Sequence, residues 1–164
     1  MHFISRLVHT DNIPELPVFL DSPMAVDVTE MFRKHRDSYD QETWDLISSG
    51  TAPLRFPRLQ MTRATSESKQ INDIQGPCII MATSGMCTAG HIKHHLRQNI
   101  NLPESTILFV GFQAHGTLGR RILDRDEEVR IHGRNYPVRA HVSQIYGLSG
   151  HADKTDLLHW LNHF

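Results

Sequence analysis

A chain of 164 residues with 17 lysines and arginines against 18 aspartates and glutamates has a formal charge of −1 at pH 7, so nothing global suggests nucleic acid and any anion site must be a local patch. A single domain of this length buries about 70% of its unfolded surface. The two cysteines, Cys78 and Cys87, lack the spacing of a zinc knuckle and fit a reducing, cytoplasmic setting, while Met1 to Val8 is too short and polar for a signal peptide and no apolar run reaches membrane-spanning length, which leaves a soluble protein with no membrane partner as the expectation.

The chain opens with a short amphipathic piece and a proline-broken stretch, Ile13 to Pro17, before the apolar run Val18-Phe19-Leu20, a buried strand. Asp21-Ser22-Pro23 follows, with Ser22 placed to cap and Pro23 at the first position of a helix through Met24, Val28, Met31 and Phe32. Strand-to-helix junctions of parallel sheets lie at the ligand-binding carboxyl edge, so Asp21 and Ser22 are candidates for anion contact as well as for simple capping. Asp40 to Ser49 predicts a second helix stopped by Gly50, and Arg55 to Thr62, interrupted by Pro57, an edge strand at best. Ser66 marks the start of a short helix before the turn Gly76-Pro77. Cys78 to Ala82 then reads as a central strand buried on both faces.

Thr83 to Gly90 is a loop of small residues leading into a helix with Ile92, Leu96 and Ile100 on one face. Backbone amides and the helix dipole there suit a phosphate, with Ser84 and Gly85 as the contacts, although a tight turn explains the glycines nearly as well. His91 and His95 stand one turn apart beside His94, but no acid or cysteine lies near them in sequence, and packing or solvent-facing histidines are preferred to a metal site. Ile107 to Phe112 repeats the buried-strand pattern, and Arg120 and Arg121 follow early in the next helix, where they can clamp phosphate or form surface ion pairs. Beyond Asp126 the pattern changes to a hairpin, Val129 to His132 and Val138 to Val142 around Gly133-Arg134-Asn135. This gives two expected segments, 1–126 and 127–164, in an α/β fold with a mainly parallel sheet, helices on both faces, and a C-terminal β-hairpin and helix.

The strand before Tyr146 runs into Ile145-Tyr-Gly-Leu-Ser-Gly-His-Ala-Asp153. Ser149 and His151 alternate there so that both can face one target, and Asp153 is placed as a helix cap. An imidazole with no local duty can protonate a leaving oxygen; a loop histidine bonded to a carbonyl stands as an equal alternative. The apolar helix after it ends abruptly at Phe164, which suggests a truncated chain.

The stretches Pro17 to Ala25, Ala82 to Met86, His94-His95-Leu96, Phe109 to Arg120 and Ser149 to Asp153 together resemble bacterial RNA-processing nucleases of the β-CASP branch of the metallo-β-lactamase superfamily, relatives of the pre-mRNA 3′-end processing endonuclease. The resemblance implies a Rossmann-like β-CASP domain that closes as an RNA-binding lid over a metallo-β-lactamase domain holding two zinc ions. It implies that His151 is the motif B histidine, the catalytic residue of this segment, and that Ser149, Ser84, Gly85, Arg120, Asp21 and Ser22 contact phosphate or RNA. His91 stands where many bacterial relatives carry arginine, a departure that weighs against a phosphate contact at that position. No His-x-His-x-Asp-His sequence occurs, so the zinc ions are expected to be bound outside this chain, with no metal ligand and no cofactor in it, and the isolated segment is expected to be inactive. The implied partners are RNA and the protein's own metallo-β-lactamase domain, with a homodimer left open. Two other functions stay in view: a non-catalytic RNA-binding paralogue module, and a generic mononucleotide-binding α/β domain using the Ser84 to Gly90 loop.

Overall fold

The structure, a computed structural model, describes residues 1–50, 54–148 and 152–163. It is an α/β fold with mainly parallel strands, as expected, and it divides into two compact units: Met1–Ser84 with Ala89–His95, and Gly85–Thr88 with Leu96–Phe164.

The first unit is built on strand β1, Val18–Asp21, whose four residues are all buried. It lies between β2, Leu59–Thr62, and β3, Ile79–Ala82, parallel to both and in register from Val18 to Asp21. Burying Val18, Phe19 and Leu20 contributes about 1.5–3 kcal/mol for each side chain. The expectation of a central, doubly buried strand at Cys78 to Ala82 is corrected here. β3 flanks β1 among the described residues and is only half-buried, because an unbroken apolar run marks high burial without saying which strand lies in the middle. The edge-strand reading of Arg55 to Thr62 agrees with β2.

Among the described residues this unit also has helices α1, His2–His9, α2, Pro23–Lys34, α3, Gln41–Ser48, and α4, Thr65–Ile71, with a 3-10 turn at Arg36–Ser38. Ser22 caps α2 by accepting the Ala25 amide at 3.3 Å, with Pro23 at the first position, and Asp40 caps α3 through the Thr43 amide at 2.8 Å. The apolar stripe of α2 is nevertheless turned outward: Met24, Val28, Met31 and Phe32 are exposed, while Val26 and Thr29 are buried. The start of α4 is also corrected, since Ala64 and not Ser66 is its cap position and the Glu67 carboxylate reaches back to the Arg63 and Ala64 amides.

Helix α5, Ile92–Asn99, leads from the first unit's residues into those of the second. In the second unit β4, Thr106–Val110, pairs in parallel with β7, His141–Ile145. Only Phe109 of β4 is buried; Leu108 and Val110 are exposed, so this strand has one covered face and not the two expected. Strands β5, Glu128–Ile131, and β6, Arg134–Pro137, form an antiparallel hairpin with Ile131 opposite Arg134. His132 and Gly133, both at positive φ (48° and 82°), make its two-residue turn. The expected second hairpin strand, Val138 to Val142, lies elsewhere. Past Pro137 the Arg139 and Ala140 amides bond to the Ile100 carbonyl and the chain continues as β7 beside β4. Helix α6, Leu118–Leu123, packs on β5 and β7, burying Ile122, and α7, Lys154–Leu161, follows.

Candidate functional site

The best-defined polar cluster of the first unit surrounds the carboxylate at the end of β1. Asp21 is fully buried, and each oxygen takes two side-chain donors. Oδ1 accepts from Thr62 Oγ1 at 2.7 Å and faces His91 Nδ1 at 2.9 Å; Oδ2 accepts from Ser68 Oγ at 2.7 Å and faces His95 Nε2 at 2.6 Å. Burial pushes the carboxyl pKa up, but the bonds from Thr62, Ser68, His95 and His91 outweigh it and hold the group at about 2. Asp21 is therefore an anion at any ordinary pH, and four elements or their flanks (β1, β2, α4 and the start of α5) converge on it.

One position further on, the Ser22 hydroxyl lies 2.9 Å from the Thr83 hydroxyl, which joins the exits of β1 and β3. Because these strands are parallel, Asp21, Ser22, Thr83 and Ser84 share one sheet edge. The Ser84 amide reaches the Ala89 carbonyl and the Ile92 amide the Thr83 carbonyl, both at 3.4 Å, so the loop folds back on its own start. Gly90 permits this. Its φ is +76°, and a Cβ there would stand 2.6 Å from the Thr83 carbonyl oxygen. Gly90→Ala combines left-handed strain with a backbone clash and is expected to cost about 2–4 kcal/mol, read as a lower urea midpoint at unchanged slope.

In the second unit, the loop Gly85 to Thr88 is held by Gln113, whose Nε2 donates to the Gly85 carbonyl at 3.1 Å, and by the Gly119 amide on the Met86 carbonyl at 3.0 Å. Gly119 has no space for a side chain, since a Cβ would meet Gln113 Oε1 at 1.9 Å. Arg120 pairs with Asp124 at 2.8 Å and Arg121 with Asp126 at 2.7 Å, both at the surface. Asp153 caps α7 by accepting the Asp156 amide at 2.9 Å, while the Asp156 carboxylate accepts the Asp153 amide. Ser149, Gly150 and His151 lie outside the described residues, and so does the question of whether Ser149 and His151 face one target.

The structure thus brings Asp21, Ser22 and Ser84 to one edge of one sheet, and places Arg120, with Gly85, in the other unit. It also brings in His91 and His95. These two escape sequence reasoning that looks for an acid close by in the chain, because their acid is 70 and 74 positions away. A signal did exist: an aspartate ending a wholly apolar strand, with the neighbouring serine already serving as the cap, has no local duty. Histidines at i and i+4 after a parallel neighbour strand are the side chains that could supply one.

A zinc ion is implied by the family resemblance, but the described residues do not provide a fitting donor set. Among the described residues no group of three or more His, Cys, Asp or Glu could hold a metal ion.

Comparison with known proteins finds two matched segments, whose bounds differ from those of the two compact units. Residues 1–122 match the Beta-Casp domain, and residues 135–164 match the Zn-dependent metallo-hydrolase RNA specificity domain. Ribonuclease TTHA0252 of Thermus thermophilus is 37% identical over 153 residues, covering 93% of this chain and 36% of its own length. Transcription termination factor FttA of Methanocaldococcus jannaschii is 31% identical over 159 residues, covering 93% of this chain and 25% of its own, and its namesake in Methanosarcina mazei is 30% identical over 155 residues, covering 91% and 24%. The chain therefore spans about a third or less of the curated relatives it matches. With most of its length accounted for by these two segments in this order, the chain belongs to the β-CASP family of nucleic-acid-processing metallo-hydrolases, in the metallo-β-lactamase superfamily.

Proposed function

We propose that this chain is the RNA-binding lid of a zinc-dependent RNA phosphodiester hydrolase and supplies its motif B histidine, His151. The observation that carries the proposal is the pairing of a Beta-Casp segment with an RNA-specificity segment in one chain, alongside a ribonuclease at 37% identity. The serine-lined edge at Ser22 and Ser84 supports it, because hydroxyls and backbone amides at the carboxyl end of parallel strands suit phosphate oxygens. In the second unit, Ser149, Gly85 and Arg120 are further proposed contacts to phosphate or RNA. Asp21, with both oxygens already taken, serves the edge by holding donors and does not itself touch an anion. His151 protonates the departing oxygen or, as an imidazolium, stabilises charge on the phosphate. Zinc held by a metallo-β-lactamase domain would supply the activated water that attacks the phosphate.

The test uses the longer protein encoded with this segment and a labelled RNA. Cleavage is expected to disappear with a chelator and return with zinc, whereas the 164-residue chain alone is expected to retain no stoichiometric zinc after dialysis and to cleave nothing. A zinc-loaded longer protein that binds RNA and leaves it intact would establish the non-catalytic alternative. One zinc per chain with cleavage by the segment alone would overturn the placement of the metal.

A further inference from the structure

We infer that His91 is a protonation-gated phosphate contact of the RNA site, oriented by Asp21, an assignment that rests on the RNA-hydrolase reading and names the chemistry of one of its contacts. The argument begins with which edge of the ring is used. Nδ1 lies 2.9 Å from Asp21 Oδ1, an oxygen of a carboxylate with no solvent exposure, so the bonded edge of the imidazole points into the protein. The side chain nonetheless keeps 19% of its surface exposed. Among the described residues Nε2 has no hydrogen-bond partner, and it is not among the buried polar atoms left without one, so it opens to solvent. Asp21 thus fixes both the ring plane and the proton on Nδ1, as a carboxylate does wherever it must aim the far nitrogen of an imidazole.

What that far nitrogen can bind depends on the second proton. In the neutral ring held this way Nε2 carries a lone pair and repels a phosphate oxygen; in the imidazolium it becomes a charged donor, the kind of group that binds phosphate well. The contact is therefore gained as protons are added. Asp21 faces the ring directly from β1, and His95 shares that carboxylate from the next turn of α5. Glu67, at the start of α4, lies close enough to feel the charge on Asp21, and Lys93 and His94 flank His91 along its own segment. From β2 and α4 the contacting groups on Asp21 are the neutral hydroxyls of Thr62 and Ser68. Ser22, Thr83 and Ser84 lie at the same sheet edge as the Asp21 anchor, so the ring belongs to the edge already argued to meet phosphate.

His91→Arg supplies the decisive comparison, because arginine keeps a donor and a charge at every ordinary pH. The His91 ring signals of the 164-residue chain, assigned by their loss in His91→Gln, are expected to shift on adding inorganic phosphate and, separately, a short oligouridylate. Affinity for the oligouridylate, measured by anisotropy on the acid and alkaline sides of neutrality, is expected to fall about tenfold more with rising pH in the wild type than in His91→Arg. Circular dichroism melts establish that both variants are folded. Identical pH profiles for wild type and His91→Arg, or ring signals that ignore both ligands, would overturn the assignment while leaving RNA hydrolysis by the longer protein untouched. Phosphate and oligouridylate that both move the His91 ring, alongside a zinc-loaded longer protein that cleaves no RNA, would keep the anion contact and remove the hydrolase reading.

Discussion

Asp21→Ala is expected to destabilise the chain by about 3–5 kcal/mol, the range for removing one member of a buried, hydrogen-bonded charged set, and that is a large part of the roughly 5–15 kcal/mol that holds a domain folded. Four donors, from Thr62, Ser68, His91 and His95, lose their acceptor at once, and Ser68 and His95 are themselves buried. Asp21→Asn keeps the volume but offers one acceptor oxygen where two are used, and it is expected to cost slightly less. The same carboxylate predicts a pH dependence. Its folded pKa of about 2 lies below the ordinary 3.8, so its contribution is fully present above the ordinary value and is lost as pH falls from about 4 to about 2. The shift corresponds to something on the order of 2 kcal/mol. Urea unfolding across that window measures it: the wild type should lose that much stability beyond whatever Asp21→Asn loses, and parallel acid limbs in the two proteins would show that Asp21 is not the source.

His151→Ala in the longer protein is expected to lower the rate of RNA cleavage by about two to four orders of magnitude while leaving folding and zinc content unchanged. A general acid acts as negative charge grows on the departing oxygen, which happens in the transition state and not in the bound substrate. The loss should therefore fall on kcat more than on KM. Ser149→Ala should cost less, since one neutral hydrogen bond to a phosphate is typically worth about 1 kcal/mol. A histidine serving only the fold would give another pattern, with a lower melting temperature and activity that follows the folded fraction. Single-turnover rates measured beside thermal melts separate the two, and wild-type turnover in a folded, zinc-loaded His151→Ala protein would take His151 out of the mechanism.

Much of the fold is legible in the sequence wherever local chemistry decides the outcome. Ser22-Pro23 and Asp40 announce their helices because a side-chain acceptor and a missing amide suffice to start one, and the run Val18-Phe19-Leu20 is buried as its composition implies. Legibility fails where a competition among distant segments decides. Nothing within Cys78 to Ala82 says that Val18 to Asp21 will take the middle of the sheet. The hairpin register depends on His132 accepting a left-handed conformation, which β-strand patterning does not reveal, and a two-residue turn moves the second strand forward to Arg134–Pro137. At the candidate site, Asp21, Ser22 and Ser84 are legible as junction residues. The tie from Asp21 to His91 and His95 is not, because it exists only after parallel pairing has brought together positions some seventy residues apart.

The register of β1 also bears on how the first unit reaches its folded state. Val18 pairs with Leu59 and with Ile79, so neither side of the central strand can be satisfied by a local hairpin. Each pairing requires closing a loop of several tens of residues before any contact rewards it, and such non-local closures slow folding. On the ribosome, β1 emerges long before either neighbour. Its exposed backbone and its Val-Phe-Leu surface stay open until synthesis has passed Ala82, which makes this stretch the one on which a chaperone or a premature self-association would act.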